Sequence, residues 1–329
     1  MFGNIKSDYL LRYIFKNFID IKKYLSIILY NKKLQSRLNI SLINYKKFYN
    51  QIEIELIPIE SLKEQENIFL NRLDNKQNFY HIFFDNNKTE IKRRYITKDD
   101  KVSKIKIIID EEIDSLKELF FTCDCIKEIN FIKFNRKNIS NMISMFEECC
   151  SLVKLNIKTI RTDNVNSIKA MFRGCSLLKD IDLSTFNTKK IYNMKSLFYD
   201  CSCLEILNIS NLDTSNVKNM SYMFYGCKSL KKLNTLNFNT KNVKNMTAMF
   251  YECSSLKEID VTKFNTENAI KMSFMFYNCS TLINLDISNF IINEKCEIDS
   301  MFSRCSEDLK KLVINQNKNL KSEAFRDYI

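Results

Sequence analysis

The residues best equipped for chemistry in this chain are its twelve cysteines and a lone histidine, His81. Thiolates ligate metals and act as nucleophiles, and a Cys–His pair is the usual activated form. The closest pairs, Cys123-x-Cys125, Cys149-Cys150 and Cys201-x-Cys203, lack the paired C-x-x-C spacing of a zinc site. One histidine cannot build a multi-histidine metal site, and His81 lies far in sequence from most of the cysteines. Gly3, Gly174 and Gly226 are too scattered to cradle a phosphate, so P-loop and dinucleotide fingerprints are absent. No pair of carboxylates is set apart by pattern. The residues therefore predict no enzyme activity, no catalytic residue, no cofactor and no metal.

The cysteines do have a register. Cys123, Cys149, Cys175, Cys201, Cys227, Cys253, Cys279 and Cys305 are each 26 residues apart. Each follows a Met-Phe or Leu-Phe pair, which begins at Leu119, Met145, Met171, Leu197, Met223, Met249, Met275 and Met301. A thiol at one fixed position of a repeat reads as a buried row of small apolar side chains. Cys125, Cys150, Cys203 and Cys296 stand outside this column and are expected to be more exposed.

The elements that must hold the column follow from one unit. Leu256-x-x-Ile259-x-Val261 is the L-x-x-L-x-L pattern of a short strand whose alternate residues point inward. Phe264 then closes the turn, matched by Phe134, Phe186, Phe238 and Phe290, with Ile160 and Leu212 as apolar variants. In the other half Val243, Met246, Met249 and Phe250 fall at spacings of three, three and one, the pattern of one helical face. Thr188, Thr214, Thr240 and Thr266 are the matching N-cap candidates. The expected fold class is α/β: a leucine-rich-repeat solenoid of eight strand/short-helix units with a helical N-terminal cap segment. No unit buries its apolar face alone, so stacking completes the core.

Asn242-Val243-Lys-Asn-Met246-Thr-Ala-Met249-Phe250-Tyr-Glu-Cys253-Ser-Ser-Leu256-Lys-Glu-Ile259-Asp260 resembles the repeat of the BspA-like leucine-rich-repeat family. The likeness covers about 119–315. It implies a curved solenoid used for recognition, in a family of bacterial surface proteins and many protist proteins, without enzymatic activity. The order Ile5, Tyr9-Leu10-Leu11, Ile14-Phe15, Phe18 is similar to the opening of an F-box, although the usual early Pro is missing and Tyr30-Asn31-Lys32-Lys33 replaces its Cys-Arg-Trp-like stretch.

Three segments result. Residues 1–58 form a basic helical segment with the F-box-like resemblance. Its stripes are Leu10, Leu11, Ile14, Phe15 and Phe18, then Leu25, Ile28 and Leu29, then Leu34, Leu38 and Leu42; Gln51 to Ile59 alternates like a strand that Pro58 ends. Residues 59–118 hold a hairpin near Phe79 to Phe84 and the solenoid cap, with Ile105 to Ile109 as a worn strand. Residues 119–326 are the repeats. Of the net charge of +12, residues 1–50 contribute +8, from ten Lys or Arg against Asp8 and Asp20. No base-reading motif accompanies that charge, so nucleic acid is not an expected partner. No stretch approaches the roughly 20 apolar residues of a membrane span, and no secretory signal is visible. Reduced thiols in a cytoplasm are expected, with the cell surface by an unrecognised export route as the alternative.

Recognition residues are sought among columns that point outward. The column Asn130, Asn156, Asp182, Asn208, Asn234, Asp260 and Asp286 is uniform and reads as a structural ladder of side-chain hydrogen bonds along the stack. Its neighbours vary. Glu128, Lys154, Asp180, Ile206, Lys232, Glu258 and Asn284 on one side, and Lys158 and Leu236 on the other, are the candidate partner-binding face, with Ile206 and Leu236 as apolar anchors. The expected function is non-enzymatic protein–protein recognition. A ubiquitin-ligase substrate adaptor and a cell-surface adhesion protein are the alternatives, with ligand and oligomeric state open.

Overall fold

The computed structural model describes residues 5–10, 13, 31–39, 50–71 and 80–327. The chain divides into two compact units, Met1–Gln51 and Ile52–Ile329. In the first, helix α1 (Lys32–Leu38) begins where Asn31 Oδ1 accepts the Leu34 amide at 3.0 Å. It ends at Asn39, whose left-handed φ of 56° lets its amide reach back to the last carbonyls. Leu34 and Leu38, four apart on one face, are its buried residues. Arg37 binds Asp8 at 2.7 Å and the carbonyls of Ile5 and Lys6. The stripe positions Leu11, Ile14, Phe15, Phe18, Leu25, Ile28, Leu29 and Leu42 lie outside the described residues, as does most of the F-box-like stretch.

The second unit opens with β1 (Ile52–Pro58), β2 (Asn67–Ile68), β3 (Tyr80–Phe84), β4 (Tyr95–Ile96) and β5 (Ile105–Ile109). Next come β6 (Ile126–Phe134), β7 (Lys154–Asn156), β8 (Asp180–Asp182) and β9 (Ile206–Asn208). β1 alternates as its sequence demands, burying Ile52, Ile54 and Leu56. It pairs antiparallel with both β5 and β6 in a five-stranded sheet ordered β3-β5-β1-β6-β7. The loop after β3 is locked by Asp85 Oδ1, which accepts the Ser103 hydroxyl and the amides of Ser103 and Lys104.

The expected leucine-rich-repeat solenoid of eight strand/short-helix units is not the fold found. No residue from 119 to 306 is helical. The strands do not make one continuous sheet: β6 pairs with β7 and β8 with β9, and beyond β9 only a single bridge, Glu258 to Asn284, joins strand segments. Val243, Met246, Met249 and Phe250 are fully buried as their spacing requires, but on a backbone of successive turns. Each unit has two left-handed residues, two before and two after its buried Phe. The first column runs from Glu118 to Ser300 at φ 51–59°, and the second from Thr122 to Arg304 at φ 53–72°. That alternation sends every second amide out of the unit. Leu116, Glu118, Phe120 and Thr122 donate to the carbonyls of Asn141, Ile143, Met145 and Glu147, while Leu119, Phe121 and Cys123 donate locally, three residues back. A helix would keep these amides for itself, so pairing between units and helix within units exclude each other.

The threonines named as N-caps also serve the next unit. Thr214 Oγ1 donates to the Asn239 carbonyl at 3.0 Å and accepts the Asn239 amide at 2.7 Å, and Thr240 does the same with Asn265. Inside, Phe120, Phe146, Phe172, Phe198, Phe224, Phe250, Phe276 and Phe302 stack at 5.4–5.7 Å. Beside them each column thiol from Cys149 to Cys305 donates to the carbonyl of the preceding unit's Phe at 3.0–3.2 Å. The ends are closed by different groups. Asn71 donates its amide and Nδ2 to the carbonyls of Leu119 and Phe121. At the far end the amides of Ser300 and Phe302 reach the carbonyls of Glu323 and Ala324, and the Arg304 amide meets the Asp327 carboxylate.

Candidate functional site

The outward columns are set by the strand segments. Leu256, Ile259 and Val261 point into the core, so Glu258, Asp260 and Thr262 between them must point out. Of the nine candidate residues, Lys154, Lys158, Asp180, Ile206, Lys232, Leu236, Glu258 and Asn284 are exposed and Glu128 is half-buried. Several are partners of one another across adjacent units. Lys154 Nζ lies 3.4 Å from Glu128 and Lys232 Nζ 3.8 Å from Glu258, while Asp180 and Ile206 are paired in register between β8 and β9.

Lys232, Leu236, Glu258 and Asn284 come together along a groove of about 700 Å³. Leu233, Ile259 and Leu285 form its floor, and Leu312 and Gln316 of helix α2 (Glu307–Gln316) close its far end. Glu128, Lys154, Lys158, Asp180 and Ile206 do not line it. The groove lies where the units are spread. Ring centroids repeat every 4.4 Å along Tyr199, Tyr225, Tyr251 and Tyr277 on the opposite edge, every 5.4–5.7 Å along the buried Phe column, and 6.2 Å from Phe238 to Phe264 past the strand segments. The backbone of Lys232, Leu233 and Asn234 makes no hydrogen bond to the described residues.

The Asn/Asp column behaves differently from the expected ladder. Asn156 Nδ2 does donate to Asn130 Oδ1 at 2.8 Å. The common arrangement, however, is a local turn in which the side-chain oxygen accepts the amide two residues on, as in Asn208 to Ser210, Asn234 to Leu236, Asp260 to Thr262 and Asp286 to Ser288. Hydrogen bonds from Thr262 and from Ser288, side chain first and then amide, hold the carboxyls of Asp260 and Asp286 below the usual carboxylate range.

Sequence reasoning missed the wall supplied by α2, because residues 119–326 read as repeats throughout. The available signal was Ser306 followed by Glu307 and Asp308, an N-cap with acids in the first turn. Gln316 Oε1 accepts the Ile287 amide at 2.9 Å and its Nε2 donates to the Leu285 carbonyl at 3.1 Å, as a neighbouring strand would. Asn317 completes the closure with a 2.8 Å bond to the Phe290 carbonyl.

The other chemistry-bearing residues are engaged elsewhere. His81 Nδ1 and Nε2 lie 3.1 Å from Glu90 and 3.3 Å from Asp110, so its partners are carboxylates. Among the described residues no group of three or more His, Cys, Asp or Glu could hold a metal ion. Of the four cysteines outside the column, Cys150 is exposed and Cys203 half-buried, but Cys125 and Cys296 are buried, against expectation. Cys125 donates to the Ile68 carbonyl at 3.2 Å, which ties the β2 strand to the first repeat. No helix among the described residues is long and apolar enough to cross a membrane.

No curated protein matches the chain. A family model does, in two overlapping segments, residues 114–206 and 201–315. Those segments span the repeats, their ladder and the groove, and together cover more than half of the sequence, so the chain belongs to the family described as Mycoplasma protein of unknown function, DUF285.

Proposed function

We propose that this is a non-enzymatic recognition protein that binds another protein through the outer face of its strand segments. The observation that carries the reading is the groove between Leu236 and Leu312, with its apolar floor and polar margin. Ile206 is 68% and Leu236 55% exposed on this face, and large apolar side chains standing in water favour being covered by a partner. The resemblance of the repeat to the BspA-like family supports recognition over catalysis as the use of such a face. The thiols support a reducing compartment, the cytoplasm: each column S–H from Cys149 onward donates to a backbone carbonyl, a bond that a disulfide would remove.

The test uses the full chain as bait in native lysate, beside the double variant Ile206→Asp/Leu236→Asp. Interface anchors each contribute about 2 kcal/mol or more, so the variant should lose its specific partner by tenfold or more. An unchanged set of partners on a variant that melts like the parent overturns the reading.

A further inference from the structure

The charge and spacing of the groove describe its occupant, an identification that rests on the recognition reading. In a chain of net +12, the groove is lined by three carboxylates, Glu258, Asp260 and Asp286, and one ammonium, Lys232, which already faces Glu258 at 3.8 Å. Asp260 commits Oδ1 to the Thr262 amide and hydroxyl and Asp286 commits Oδ1 to the Ser288 amide, and Asp260 Oδ2 has no hydrogen-bond or ion-pair partner among the described residues. The charge of Lys263 acts on Asp260, and that of Asp286 acts on it with the opposite effect. Two adjacent carboxylates are thus aligned along the stack, with Leu236 a unit before them and Leu312 beyond.

The spacing is that of an extended chain. Beneath the strand segments the rings of Phe238 and Phe264 stand 6.2 Å apart, close to the spacing of about 6.7 Å between alternate residues of a β-strand. A peptide laid along the groove therefore turns one side chain of every two toward each successive unit. We propose that the occupant is an extended peptide of pattern apolar-x-basic-x-basic-x-apolar, its outer apolar residues on Leu236 and Leu312 and its two cations facing Asp260 and Asp286. Cationic side chains gain charge-assisted hydrogen bonds to the two carboxylates, and the apolar ends cover the exposed leucines.

The probe is a fluorescein-labelled peptide, Leu-Ser-Arg-Ser-Arg-Ser-Leu with Gly-Ser flanks, titrated with the full chain by anisotropy. Peptides with Glu or Ser in place of both Arg are the controls. The Arg peptide should bind, the Glu peptide should bind at least tenfold more weakly, and Asp260→Asn/Asp286→Asn should abolish the difference. That variant keeps the turn, because Asn208 and Asn234 occupy the same register in neighbouring units. If the Ser peptide binds as tightly as the Arg peptide and Leu236→Asp weakens both, the cationic occupant is overturned and the recognition face stands. If binding is absent, or does not respond to Leu236→Asp in a variant that melts like the parent, the cationic occupant is overturned, and the recognition reading is decided by the partners that the Ile206→Asp/Leu236→Asp variant keeps or loses in lysate.

Discussion

Thr122 is a β-branched residue held at φ 56°, a region that costs an L-residue about 1–2 kcal/mol and a branched one more. Its amide must point at the Glu147 carbonyl, and the backbone conformation follows from that bond. Two units answer the same demand with Gly174 and Gly226, and a Cβ at Gly226 would collide with Asp200 Oδ1. Thr122→Gly should therefore stabilise the protein by about 1 kcal/mol in urea unfolding, a gain that vanishes if the left-handed column is not real. The cysteines give a second test at this scale. Burial pushes the column thiols up, Cys305 to about 11, and Cys125 outside the column to about 12, so little thiolate exists near neutrality. Iodoacetamide at pH 8 should label Cys150 and Cys203 in the native protein well before any column thiol. Mass spectrometry showing equal rates would contradict the burial.

Among the elements, the short 3-10 turn Lys98–Asp100 is held by charge. Asp100 binds Arg93 and accepts the Thr97 amide and hydroxyl, and these partners, Arg93 first, bring its carboxyl down to about 2. A depressed carboxylate stabilises the fold above its unfolded value of about 3.9, and that stability is lost as pH falls toward about 2. Asp100→Asn should flatten the acid limb of the stability profile between those values and leave the rest parallel; an unchanged limb would remove Asp100 from the account. The sequence carried the period of 26, the buried columns and the alternation of β1, because burial writes itself directly into residue type. It did not carry the path of the backbone between buried residues. Val243, Met246, Met249 and Phe250 are spaced equally well for a helical face and for a chain of turns, and the choice is made by amide pairing between units that no side chain records. Glu258 and Lys232 were legible as outward residues; the wall at Leu312 and Gln316 was not, since α2 displaced the repeat it was read as.

At the scale of the whole molecule, every interior unit meets its neighbours through the same amides, hydroxyls, thiols and rings. Removing the 26 residues Phe198–Met223 rejoins Leu197 to Phe224 in register, so that variant should fold and unfold cooperatively with lower stability. Removing half as many residues from the same point would set apolar positions against outward ones and should leave the chain unfolded; circular dichroism melts separate the two cases. The row of left-handed turns has a further consequence, for symmetry. The amides of this row that leave their unit all point toward the C-terminal end, so the row presents carbonyls at one end, met by Asn71, and amides at the other, met by Glu323, Ala324 and Asp327. Set like end to like end, this row in two copies would face donor with donor or acceptor with acceptor. Pairing of this row between two copies would therefore run head to tail, as an open chain.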